Sequence, residues 1–96
     1  MSVNLGILTG HVDATGTVVA TGNKYLKSYQ FLSGGTAGEV VIRDGGASGT
    51  VLVRFNIPAN TNNPVYANLP VPGIMFNTDL HATLPTGACF TAFYSN

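Results

Sequence analysis

Residues 39–57 read EVVIRDGGASGTVLVRFNI, two β-branched runs separated by six residues that tolerate tight turns. In TVLVRFNI (50–57), Val51, Val53, Phe55 and Ile57 alternate with Leu52, Arg54 and Asn56. Period two places the first set on one face of a half-buried strand and the second on the other. EVVIR (39–43) supplies a partner strand, and Asp44-Gly45-Gly46-Ala47-Ser48-Gly49 is dense in residues that accept positive φ. The stretch therefore predicts a β-hairpin, with the Asp44 carboxylate accepting backbone N–H bonds within its turn. A phosphate-binding reading of DGGASG fails, because the loop has no lysine and no helix follows it.

The same grammar extends outward in both directions. Upstream lie Val3, Leu5 and Ile7 in alternation, then TVVAT (17–21) after Gly16, a Gly22-Asn23 turn, and KYLKSYQFLS (24–33). This last run is the longest, but neither of its faces is cleanly apolar: Leu26, Ser28, Gln30 and Leu32 fall on one side, Tyr25, Lys27, Tyr29 and Phe31 on the other. Downstream come VYANL (65–69), Pro70 and Pro72 marking a strand end or sheet edge, IMF after Gly73, LHATL (80–84) and ACFTAFYS (88–95). No segment keeps an apolar recurrence at helical spacing, and 12 Gly and 5 Pro interrupt the chain too often for a helix of ordinary length. About eight short antiparallel strands at intervals of about 10 residues predict a single all-β sandwich over residues 1–96, of jelly-roll or immunoglobulin-like Greek-key topology. Residues 1–16 are expected to form an arm or an edge strand.

Composition narrows the function. Charged residues make up 8% of the chain, against about 25% in an average globular domain, and the net charge is zero. A free monomer ordinarily stays apart from its neighbours through interspersed charge, so a surface of Thr, Ser, Asn, Gly and apolar atoms suits a subunit held in an assembly. Lys24, Lys27, Arg43 and Arg54 are scattered, which argues against a nucleic-acid partner. No run approaches the roughly 18 apolar residues of a membrane span, and the N-terminal MSVNLGILTG lacks the basic start and apolar stretch of a signal peptide. Cys89 is the single cysteine, and its alternating apolar surroundings predict a small buried core residue.

Chemistry-bearing residues are few. Asp79 and His81 stand two apart, one face of a strand, and Cys89 or Ser95 on the following strand is the available nucleophile for a small hydrolase. A polar strand face with a solvent-facing histidine accounts for the same residues. His11, Asp13, Asp79 and His81 are metal-ligand types, but no spacing brings three together locally, so neither a metal nor another cofactor is expected. The exposed-aromatic candidates are Tyr25, Tyr29, Tyr66 and Tyr94, the first three expected as anchors of a protein interface, with sugar stacking as the competing use of the same rings.

GEVVIRDGGASGTVLVRFNIPA (38–59), VYANLPVPGIMFNTDLHATL (65–84) and the closing apolar strand together resemble small tailed-bacteriophage virion proteins. The resemblance covers residues 20–94 and is sharpest at DGGASG and LPVPGIMF. It implies a non-enzymatic structural protein of the virion, made in the host bacterial cytoplasm, that forms oligomers, trimers favoured. It further implies a capsid decoration or cement role against the major capsid protein or other virion proteins. The alternative is a neck, tail or fibre component with a carbohydrate- or receptor-binding role. The resemblance carries over no catalytic residues.

Overall fold

A computed structural model of the chain describes residues 7–58 and 64–95. Their elements are β1 (Leu8–Val12), β2 (Gly16–Val19), β3 (Lys24–Leu32), β4 (Gly38–Asp44), β5 (Thr50–Ile57), β6 (Val65–Asn68), β7 (Ile74–Phe76), β8 (Leu80–Thr83) and β9 (Cys89–Ser95), with one 3-10 turn at Gly46–Ser48. The anticipated hairpin is present as β4 and β5, paired antiparallel from Gly38↔Ile57 to Asp44↔Thr50. Gly45 and Gly46 take positive φ at its tip, 104° and 83°, where a side chain would be strained.

That hairpin is the centre of a nested set. Outward from it, β3 pairs with β6, β2 with β8 and β1 with β9, all antiparallel. Rolling the nested pairs up places β9 beside β3 and β8 beside β4, giving two sheets in the orders β1-β9-β3-β6 and β2-β8-β4-β5. Nested antiparallel pairs shared alternately between two sheets are the jelly-roll solution, which sets aside the immunoglobulin-like alternative. The additional strand β7 pairs with Lys24–Leu26 of β3, on the edge where β6 pairs with Ser28–Phe31. Pro70 and Pro72 lie between β6 and β7, where no ladder donor is required. β1 forms one edge of the five-stranded sheet. Val3 and Leu5 lie outside the described residues.

The inner faces meet around Phe31, Phe76, Phe90, Leu26, Ile42, Leu80 and Val40, all fully buried. Each large apolar side chain removed from water in this way contributes about 1.5–3 kcal/mol before chain entropy is subtracted. Tyr29 stacks on Phe55 with ring centroids 5.7 Å apart and planes 11° apart, and Phe31 meets the same Phe55 ring edge-on at 5.8 Å. The stack joins β3 of one sheet to β5 of the other.

Two irregularities explain where strict alternation misleads. In β3 the register against β9 shifts between Leu26 and Ser28, so Lys27 is an inserted residue and the facing pattern changes phase. Leu26 points inward before the shift, Tyr29 and Phe31 after it, and all three are buried. The run is therefore apolar on one physical face although no single phase of its sequence is. In β5 the register shifts at Leu52. Val53, Phe55 and Ile57 face the core as expected, Leu52 packs against it as well, and Val51 is turned out to solvent.

Candidate functional site

Both outer faces carry formal charges. On the four-stranded sheet, Glu39 and Arg54 are neighbours across β4 and β5 and form an ion pair of 3.1 Å. Arg43 donates to the Thr83 hydroxyl at 3.3 Å on the same side. Asp44 and Asp79 are used elsewhere, fastening the hairpin tip to the β7–β8 turn. The Asp44 carboxylate accepts the backbone N–H of Asn77 at 2.8 Å, Thr78 at 2.8 Å and Asp79 at 3.3 Å. Asp79 in return accepts from Gly45 and Gly46, both at 3.0 Å. The backbone bond from Asn77 is the largest influence holding the Asp44 carboxyl below its ordinary range. Asp44 thus bonds across to another loop and not within its own turn, as its sequence suggested.

The outer face of the five-stranded sheet carries Lys27 and, at its β1–β9 end, Asp13 beside His11. Tyr66 stands 67% exposed on β6, Met75 44% exposed on β7 and Leu32 42% exposed at the end of β3, among Ser, Thr, Gln and Asn positions. Lys27, the inserted residue, sits over the Tyr25 ring at 5.5 Å and donates to the Pro72 carbonyl at 2.7 Å.

At the β1–β9 end of this face four polar side chains form a quartet. The register places His11 opposite Thr91, and one step beyond the paired segment it places Asp13 beside Cys89. Period two puts His11 and Asp13 on the same side of the chain, and likewise Cys89 and Thr91. His11 Nε2 lies 2.7 Å from Asp13 Oδ1, and His11 Nδ1 lies 2.7 Å from Thr91 Oγ1. Hydrogen bonding from His11, then from Cys89, holds the Asp13 carboxyl below its ordinary range. Desolvation, followed by the bond to Asp13, pushes the Cys89 thiol upward. One ligand atom from each of His11, Asp13 and Cys89 falls within 4.8 Å of the others, a grouping of three different metal-ligand types.

Thr91, His11 and Asp13 also stand in the order hydroxyl, imidazole, carboxylate. Acyl transfer would further need donors aimed at a developing oxyanion. β9 is paired on both sides, with β1 and with β3, whereas β1 is paired on one side only.

Several sequence expectations are corrected by these positions. Tyr29 is 8% exposed and belongs to the core, so it is no interface anchor, whereas Tyr25 and Tyr66 do share the outer face. Cys89 is half-buried on that outer face, because Ala88, Phe90 and Ala92 take the inward positions of the last strand. Asp79 precedes β8 and turns toward the hairpin tip, so it shares no strand face with His81. His81 is 8% exposed, not solvent-facing, with its Nδ1 buried and unpartnered, on the outer side of the four-stranded sheet. His81 and Cys89 therefore lie on opposite outer faces of the sandwich and cannot act together. Of the four candidate ligands His11, Asp13, Asp79 and His81, the structure brings His11 and Asp13 together, and Cys89 joins them. The signal for this was a second i, i+2 pair, His11-Val12-Asp13, equivalent in sequence to Asp79-Leu80-His81.

Comparison with known proteins finds no matching family model, no matching curated protein and no matching solved structure.

Proposed function

We propose that this chain is a non-enzymatic structural subunit that works by packing the outer face of its five-stranded sheet against another copy of itself. The observation that carries the reading is the set of exposed apolar and aromatic side chains on that face, Tyr66, Met75 and Leu32. Glu39, Arg43 and Arg54 gather on the outer side of the four-stranded sheet, while the opposite face presents Tyr66, Met75 and Leu32 among Ser, Thr, Gln and Asn, with Lys27 and Asp13 as its charged groups. Apolar and aromatic side chains in a rim of hydroxyls and amides are the anatomy of a protein interface, and Tyr is among its usual anchors. A net charge of zero leaves no long-range repulsion between copies. The molecule measures 42 × 31 × 22 Å, and its broad faces are ample for the roughly 800 Å² per partner that a stable interface buries.

The setting we propose is the one its motifs resemble, an oligomeric decoration or cement protein on a phage capsid. Fold alone does not decide this, since jelly rolls also serve in lectins. The direct test is the copy number in purified particles, by quantitative mass spectrometry against the major coat protein. A ratio near one per coat subunit, or one per three, is expected; absence from the particles would overturn the assignment.

One specific arrangement favours a second reading, a neck, tail or fibre protein that binds carbohydrate. Tyr66 pairs across to Gln30 and is followed by Asn68 on the same face, so an exposed ring stands beside two amides able to bond sugar hydroxyls. Glycan-array binding that is lost in Tyr66→Ala, with a dozen or so copies per particle, would select this reading.

A further inference from the structure

We propose that His11, Asp13 and Cys89 form a binding site for a divalent transition metal of the zinc type, at the β1–β9 end of the five-stranded sheet. The donor set is imidazole nitrogen, carboxylate oxygen and thiol sulfur, the three kinds of ligand that zinc takes from proteins. A thiolate and an imidazole select against Ca²⁺ and Mg²⁺, which prefer all-oxygen surroundings. Around a tetrahedral zinc, neighbouring ligand atoms are about 3.3–3.6 Å apart, as follows from bond lengths of about 2.0–2.3 Å. The three atoms here lie within 4.8 Å, and His11 Nε2 already approaches Asp13 Oδ1 at 2.7 Å. Small rotations of exposed side chains close the difference without moving the strands that carry them.

Thr91 is the positioning residue. A metal-bound imidazole ordinarily donates its other N–H to an oxygen acceptor, which fixes both ring and tautomer. Thr91 Oγ1 stands 2.7 Å from His11 Nδ1, and a hydroxyl can either donate or accept. Without metal, Nε2–H donates to the Asp13 carboxylate, and in a neutral imidazole Nδ1 accepts the Thr91 hydroxyl hydrogen. With metal on Nε2, Nδ1 carries the proton and donates to Thr91. The Cys89 thiol loses its proton to solvent as the metal–sulfur bond forms, so one proton is released for each metal bound. Three protein ligands leave a fourth position open to water or to a donor from another molecule. The site stands on its own geometry and does not depend on the proposed self-assembly.

The experiment is a Co²⁺ titration of the tag-free, full-length chain, followed by displacement with Zn²⁺. The expected result is one equivalent bound, with a thiolate-to-cobalt charge-transfer band that Zn²⁺ abolishes. Cys89→Ser should lose the band, His11→Ala and Asp13→Asn should each weaken Zn²⁺ binding at least tenfold, and Thr91→Val should weaken it about 10- to 100-fold. All four positions lie outside the buried core, and far-ultraviolet circular dichroism verifies that each variant folds. Cobalt bound without a charge-transfer band, or Cys89→Ser and His11→Ala binding Zn²⁺ as the unaltered chain does, would overturn the site.

Discussion

Replacing Asp44 by Ala tests how firmly the central hairpin is fastened to the rest of the roll. The carboxylate accepts three backbone N–H groups, from Asn77, Thr78 and Asp79. Two of the three bonds are exposed, so water recovers much of each lost bond, and about 0.5–1 kcal/mol apiece is the appropriate magnitude. The total is about 2 kcal/mol. In a domain of this size that corresponds to a fall in Tm of about 8–16 °C, readable by circular dichroism during a thermal scan. Ser48→Ala, an exposed change in the same hairpin, serves as the control and should stay within about 0.5 kcal/mol. Asp79→Ala removes the reciprocal acceptor for Gly45 and Gly46 and should cost about 1–2 kcal/mol. Because both carboxylates hold the same two loops together, the double variant should cost less than the sum by at least about 0.5 kcal/mol. Asp44→Ala melting with Ser48→Ala, or strict additivity of the two aspartates, would refute the fastening.

Protonation of the same group gives a pH dependence. The folded-state pKa of Asp44 lies below its unfolded value, so its stabilisation is complete above the ordinary carboxylate range and is lost as pH falls through that range toward the lower folded value. Urea midpoints measured down the acid limb should fall less steeply for Asp44→Asn than for the unaltered chain. Tyr29→Ala should cost about 3–5 kcal/mol by opening the stack with Phe55 and Phe90, while Tyr66→Ala, compared at a concentration low enough to keep the chain monomeric, should leave the urea midpoint nearly unchanged; equal effects would contradict their assignment to core and surface. Burial and the Asp13 carboxylate keep Cys89 in its thiol form, so its alkylation by iodoacetamide near neutral pH should be slower than that of an unstructured cysteine peptide, and Asp13→Asn should speed it.

The sandwich was legible because its central hairpin is written in unambiguous residues. Gly45 and Gly46 supply the positive φ that the tip requires, and Val53, Phe55 and Ile57 alternate as the core demands. The long strand Lys24–Leu32 was legible as a strand, but the faces of its residues were not. One inserted residue at Lys27 inverts every position beyond it, and this inversion carried Tyr29 from the surface into the core. The first strand was obscured by Gly10, which interrupts alternation because a Cβ there would stand 2.6 Å from the Val18 carbonyl oxygen where β1 approaches β2. Strand order depends on which pairs nest around the hairpin, a property of the rolled chain and not of any local window.

The quartet of His11, Asp13, Cys89 and Thr91 was hidden for the same reason. It unites residues from opposite ends of the sequence, 80 positions apart for His11 and Thr91, through a pairing that only the closed roll creates. The last strand could not reveal its own outward face either. Ala88, Phe90 and Ala92 alternate with Cys89, Thr91 and Phe93, and both sets contain apolar residues. The tie between Asp44 and the β7–β8 turn was half visible: a carboxylate beside glycines announced a backbone acceptor, but its donors came from 33 to 35 residues away.

The central claim, that copies of this chain associate through the outer face of the five-stranded sheet, is tested most directly by sedimentation equilibrium of the purified protein and of Tyr66→Lys/Met75→Glu across a wide range of concentration. The account predicts a discrete oligomer for the unaltered chain and a folded monomer for the double variant, whose added charges would have to be buried unpaired in that interface. A chain that remains monomeric at the highest concentration, or a double variant that assembles as the unaltered chain does, would contradict it.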